Sequence, residues 1–199
     1  MDAAPLWMPT GSDVIARWAA SQRLAYAPRP DDAWFRAWEP HDTLIAPELW
    51  LNSVTRHSPG GLIVVAEAYA AGEGCDPIER AIVGFAQLRG PTRRAAMRTG
   101  EPYLTKTVFL EQAPPPRVTL GDPVWDEHTT TFAASGSEAA AAFHPGLRRL
   151  LAKRGFRGHL EIRPGGFVVH HEGLGPRPEH YELLFRVAHD IGGSLAAGR

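Results

Sequence analysis

An α+β fold, built as two lobes of mostly antiparallel sheet each covered by helices, is what the sequence predicts, and three observations carry that prediction. Short runs rich in apolar and β-branched residues recur between Gly- and Pro-rich breaks, the pattern of antiparallel strands. Apolar residues at helical spacings of three and four flank those runs near both ends of the chain. The run Pro114-Pro115-Pro116 can neither continue a helix nor donate to a ladder, so it divides an N-terminal segment, 1–112, from a C-terminal segment, 117–199. A chain of 199 residues buries about 70% of the surface its unfolded form exposes, enough for a core without staples.

The first element is a helix opening at Asp13, with Ser12 as its cap and Val14, Ile15, Trp18 and Ala19 as its apolar positions. Pro28 and Pro30 then impose an extended passage into Trp34, Phe35 and Trp38, three aromatics whose density marks a satellite core or a clamp. Strands follow at Leu49–Val54, Leu62–Tyr69 and Ala81–Leu88, with Gly60-Gly61 turning the first into the second. A loop over 71–79, a polar and basic stretch over 90–100 and a strand over Tyr103–Leu110 complete the first lobe.

The second lobe opens with Asp122-Pro123 and a strand over Val124–Ala133. Ser135 or Ser137 caps an Ala-rich helix, and Pro145 starts another that runs to Lys153, buries Leu147, Leu150 and Leu151, and stops at Gly155. The most legible element is a hairpin of Gly158–Arg163 and Gly166–His171. In the turn Arg163-Pro164-Gly165-Gly166, proline pre-sets φ and glycine takes the positive φ of a type II turn. The register that follows opposes 163 to 166, 161 to 168 and 159 to 170, with Leu160, Ile162, Phe167 and Val169 on one face. After Pro176 and Pro178, a last helix aligns Tyr181, Leu184, Ala188, Ile191 and Leu195 in a stripe that packs on that face.

Composition excludes several classes of function. A hydrophobic fraction of 44% and a charged fraction of 22% are those of an ordinary globular protein. A net charge of -1 lacks the basic excess that neutralises phosphates, which argues against a nucleic-acid partner. The clusters Arg93, Arg94, Arg98 and Arg148, Arg149, Lys153, Arg154 read as solvated faces. The one cysteine, Cys75, cannot form an internal disulfide; with no apolar run of membrane length and no leader over Met1–Thr10, the expectation is a cytoplasmic protein without a membrane span.

Chemistry is sparse in the pattern. The hairpin register makes His159 and His170 cross-strand neighbours with Glu161 on the same face, and two imidazoles and a carboxylate are ligands that zinc or iron accept. Their spacing matches no established metal signature, and a solvated polar sheet face is the plainer account of them. Asp122, Asp126, Glu127 and Glu161 include no pair whose spacing the sequence can set for acid–base work. No serine sits in a nucleophile elbow, and no glycine pattern indicates a nucleotide; no cofactor is expected.

Val118-Thr119-Leu120, Asp122-Pro123, the run to Phe132, Ser137–Ala142, Pro145 and Leu147–Leu151, followed by the hairpin Leu160–Val169 and the final helix, resemble the C-terminal part of the DUF3137 group of uncharacterised bacterial proteins. In residues 1–112 only the strand order resembles that group, and the first sixty residues have no counterpart in it. The resemblance implies an α+β architecture of unknown activity and brings no catalytic residue with it. The functional expectation is therefore a non-catalytic binding or scaffolding module, with Trp34, Trp38 and Trp50 as a surface for another protein. The alternative is a small metal-dependent hydrolase using His159, Glu161 and His170.

Overall fold

The computed structural model describes residues 8–44, 46–58, 61–69, 80–88, 93–99 and 115–198. Along them the chain runs α1 (Ser12–Ser21), β1 (Ala25–Ala27), α2 (Asp32–Arg36), β2 (Leu49–Ser58), β3 (Gly61–Tyr69), β4 (Ala81–Leu88), β5 (Ala95–Thr99) and β6 (Arg117–Val118). It continues through α3 (Pro123–His128), β7 (Thr129–Ala133), α4 (Gly136–Ala142), α5 (Pro145–Lys153), β8 (Gly158–Arg163), β9 (Gly166–His171) and α6 (Pro178–Ala197).

The strands form one antiparallel sheet in the order β1-β2-β3-β4-β9-β8-β5-β7-β6. The β8–β9 hairpin has inserted between β4 and β5: Val83 pairs with His170, and Arg98 with His159. Segments 1–112 and 117–199, expected as lobes with a sheet each, thus contribute strands to the same sheet. The physical reason is that both edges of the hairpin carry open backbone donors and acceptors, and β4 and β5 satisfy one edge each.

The hairpin has the register its turn chemistry requires, with Arg163 opposite Gly166, Glu161 opposite Val168 and His159 opposite His170, and Gly165 at φ 85°. Leu160, Ile162, Phe167 and Val169 are buried beneath Tyr181, Leu184, Ala188 and Ile191 of α6. Ile15 and Ala19 of α1 and Leu147 and Leu151 of α5 extend the same core. Ser135 caps α4 by accepting from the Glu138 amide at 3.2 Å, and Pro145 opens α5 as the sequence required.

Three elements differ from expectation. The N-cap of α1 is Gly11, and Ser12 Oγ instead donates to the Pro9 carbonyl at 2.7 Å. The expected strand over Val124–Ala133 begins as α3, because Asp122 accepts from the Trp125 amide and Pro123 is pre-organised for a first helical turn; only Thr129–Ala133 is strand. The stretch read as a polar connection contains β5, whose Ala95, Ala96 and Met97 are buried between β8 and β7. The expected strand over Tyr103–Leu110, the 71–79 loop and Cys75 lie outside the described residues.

The second sheet face is also covered. Phe35 and Trp38, with Leu44, pack on Trp50, Val64, Val83, Phe85 and Val168. The packing is tight at Gly166, where an added Cβ would stand 2.0 Å from the Ala86 carbonyl oxygen and 2.9 Å from the Trp38 ring. Gly166→Ala is expected to destabilise the protein by about 1–3 kcal/mol, the usual range for overpacking. A lowered urea midpoint checks this; an unchanged midpoint would mean that β4 and the indole can retreat freely.

Candidate functional site

The face that carries His159, Glu161 and His170 is where metal chemistry was expected, or else solvent. The structure closes that face off from solvent: relative exposures are 1%, 0% and 1%. Residues 37–44 lie across it as a strap. Glu161 Oε1 accepts from the backbone amides of Asp42, Thr43 and Leu44 at 2.9, 2.6 and 3.1 Å, and from Thr43 Oγ1 at 3.0 Å. Three convergent amides make an anion nest. Glu161 Oε2 accepts from Arg163 at 2.6 Å and faces His41 Nδ1 at 3.2 Å. Arg163 also donates to the carbonyls of Trp38 and Pro40, and Arg94 pairs with Asp42, so the strap is held at several points.

Burial raises the Glu161 pKa, but the His41 contact, the Arg163 charge and the Thr43 amide outweigh it and hold the carboxyl down at about 2. Such a carboxylate is saturated as an acceptor. His159 is pushed down to about 4, by burial first and then by the charges of His170 and Arg98, against the opposing effects of Glu161 and the Thr43 backbone. His170 is lowered chiefly by burial, and its Nδ1 lies 3.1 Å from the Ile82 carbonyl. Arg98, the cross-strand neighbour of His159, adds positive potential that disfavours a cation there. Among the described residues no group of three or more His, Cys, Asp or Glu side chains is placed to hold a metal ion.

Burial of neutral imidazoles carries a pH signature. An unfolded histidine near the ordinary 6.5 binds its proton before folded His159 does, so stability is full above pH 6.5 and declines as the pH falls toward 4. Glu161, with its folded pKa below the ordinary 4.5, adds a second loss between pH 4.5 and about 2. Urea unfolding at pH 7.5, 5.5 and 4.5 is expected to show a continuous fall. A flat profile from 7.5 to 4.5 would show that His159 and His170 titrate in the folded protein as they do unfolded.

The tryptophans expected to meet a partner turn inward, as the alternative of a satellite core required. Trp38 and Trp50 are buried around Phe85, with Trp50 stacked on Phe35 at 5.0 Å, and Trp34 packs half-buried against Phe35 at 4.8 Å. Three edge-to-face and tilted contacts to Phe85 use those rings for cohesion.

A second buried carboxylate, not singled out by the sequence, ties the other end of the sheet. Glu67 on β3 receives Arg80 at 2.5 and 2.9 Å and Asn52 Nδ2 at 2.7 Å. Asn52 sits at φ 48° where the β2–β3 register shifts, and its side chain also bonds Ser12 and Tyr26. Its carbonyl accepts from Tyr181 of α6 at 2.7 Å. The left-handed bulge was the one signal available, since Asn is enriched at positive φ.

Open concavities lie elsewhere. A polar one of about 510 Å³ is lined by Thr99, Arg117, Asp126, His128 and Arg157 among others. A more apolar cleft of about 430 Å³ runs between α5 and α6, with Leu150, Leu183, Val187 and Phe156 as its lining and Lys153, Arg154 and His171 at its margin. The Phe156 ring meets His171 edge-on at 5.3 Å, which fixes the end wall.

No family model matches the chain, and no curated protein sequence matches it. Among solved structures, the chain is similar to the crystal structure of the mycobacterial trehalose monomycolate transport factor A, TtfA, with a TM-score of 0.63 at 13% sequence identity, over 94% of this chain and 96% of that one. At such identity the likeness establishes a shared α+β fold with a large antiparallel sheet. Among the described residues no helix is long and apolar enough to cross a membrane.

Proposed function

We propose that the protein is a non-catalytic binding or scaffolding module that works through the cleft between α5 and α6. One observation carries the reading: the charged groups on the two sheet faces are closed into networks that hold the fold, whereas the open cleft is lined by half-buried Leu150 and Leu183 over buried Phe156 and Val187. An apolar cleft of 300–1,000 Å³ with a few polar groups at its margin is the common form of a small-molecule site. The similar structure is named as a transport factor, which agrees with binding and hand-over in place of covalent chemistry. Segments 1–112 and 117–199 act as one unit in this reading, and the single cysteine favours the cytoplasm. A hydrolase using His159, Glu161 and His170 would need Glu161 to release the strap.

Titration of tag-free protein with Nile red tests the reading. Saturable binding of one dye per chain is expected, weakened at least about tenfold by Leu183→Trp, which fills the cleft. Absence of saturable binding would overturn it, as would stoichiometric zinc, iron or manganese that disappears in His159→Ala.

A further inference from the structure

The charge around the cleft is unlike that of the rest of the molecule. The net charge of the whole chain is -1. Yet α5 and the residue after it carry Arg148, Arg149, Lys153 and Arg154 with no acidic residue in the helix. Two of these are neutralised, Arg148 by Asp122 and Arg154 by Asp190 of α6. Lys153, at the cleft margin, has no ion-pair partner among the described residues, and neither have the exposed Arg149 on α5 and Arg186 on α6. Arg186, exposed on α6, lies one helical turn from Leu183, which lines the cleft, and one turn from Asp190. The Arg154–Asp190 pair spans the two helices beside the apolar lining.

An apolar slot bordered by unpaired cations fits a molecule with a chain to bury and a negative head to leave in water. The volume, about 430 Å³, is near the low end for ligand pockets, which favours one chain over two. Lys153 supplies positive charge at the cleft and Arg186 adds more one helical turn from its lining, and fields of this kind are felt over about a Debye length.

Resting on the reading of the cleft as a binding site, we infer that its ligand is a single-chain anionic amphiphile, a carboxylate or phosphate monoester on an alkyl chain, with Leu150, Leu183, Val187 and Phe156 holding the chain and Lys153 and Arg186 facing the head. The alternative source of the same chemistry, an anionic membrane surface, would engage the cations without filling the slot.

Displacement of Nile red by monomeric laurate and by dodecyltrimethylammonium, whose tails match in length and whose heads are opposite in sign, tests the inference. Laurate is expected to displace the dye at about tenfold lower concentration at low salt, with the ratio shrinking at high salt. In Lys153→Glu/Arg186→Glu the ratio is expected to fall to about one or invert. Leu183→Trp, or Leu150→Trp should the first variant fail to fold, is expected to weaken both ligands. Equal displacement by the two heads in the wild type, or a preference that survives the double charge reversal, overturns the anionic ligand and leaves the binding-module reading standing. Failure of Nile red to bind removes that reading too. A response to phosphatidylglycerol vesicles with none to monomeric laurate assigns the basic rim to a membrane and overturns the proposal.

Discussion

Glu161→Gln is expected to lower the unfolding free energy by about 3–5 kcal/mol, the range for removing one partner of a buried ion pair. The amide keeps the size of the carboxylate but not its charge. One of its two ends becomes a donor, and it must face either the three amides of the strap or the Arg163 guanidinium, both of which also donate. Arg163 is then left in a nearly dry site with only carbonyl partners. Against a typical total of 5–15 kcal/mol the loss is a large fraction of stability. Urea unfolding followed by tryptophan fluorescence reads it directly, since Trp38 belongs to the strap and Trp50 shares a buried cluster with Trp38 and Leu44 of the strap. A double-mutant cycle with Arg163→Met isolates the pair: the second substitution is expected to be milder in the Gln background than in the wild type. A loss below about 1 kcal/mol, the value of an exposed pair, would mean that aromatic packing alone holds residues 37–44.

Glu67→Ala follows, with an expected loss of about 3 kcal/mol, at the low end of the buried-pair range because Arg80 is partly open to water. The substitution unbinds both Arg80 and Asn52 Nδ2. Asn52 is the junction of α1, β1, β2 and α6, so the effect is expected to spread: the Tyr26 and Tyr181 hydroxyls, both held above their ordinary pKa by burial first and the Glu67 charge second, lose that charge. Hydrogen exchange of the β2 amides next to Asn52 is the second readout. Unchanged protection there, with stability reduced by less than about 1 kcal/mol, would show that the bulge is held by its backbone bonds.

Legibility of the fold followed the range of the interactions that build it. The β8–β9 register was readable because Pro164 and Gly165 fix the turn locally, and alternation does the rest. The α6 stripe was readable for the same reason. What covers each face was not, because His159, Glu161 and His170 alternate along their strands as solvent-facing residues would, and only the fold brings His41, Asp42 and Thr43 to them from some 120 residues away. In α3 the local signal was present, Asp122 before Pro123, and the β-branched residues from Val124 onward outweighed it. β5 was hidden by its length and by the arginines that flank it, and its place between β7 and β8 depends on partners far along the chain. The cleft had a partial signature, since Leu150 stood among buried residues and the Arg/Lys cluster was visible, but nothing in α5 alone indicated that α6 would leave a gap beside it.

The insertion of the β8–β9 hairpin between β4 and β5 sets an order of events during synthesis. Strands β1 to β4 can pair as a meander as soon as they are made, but β4 then presents one bare edge, and β5 has neither of its neighbours. Closure waits for residues 158–171, through partners roughly sixty to ninety positions apart, which predisposes the chain to slow folding. During that interval the exposed strand edges are sites for pairing with another chain, so nascent protein is most prone to association before residues 158–171 emerge. Fragments ending near Pro114 should share that tendency, and supplying residues 117–199 as a separate chain is the natural way to suppress it.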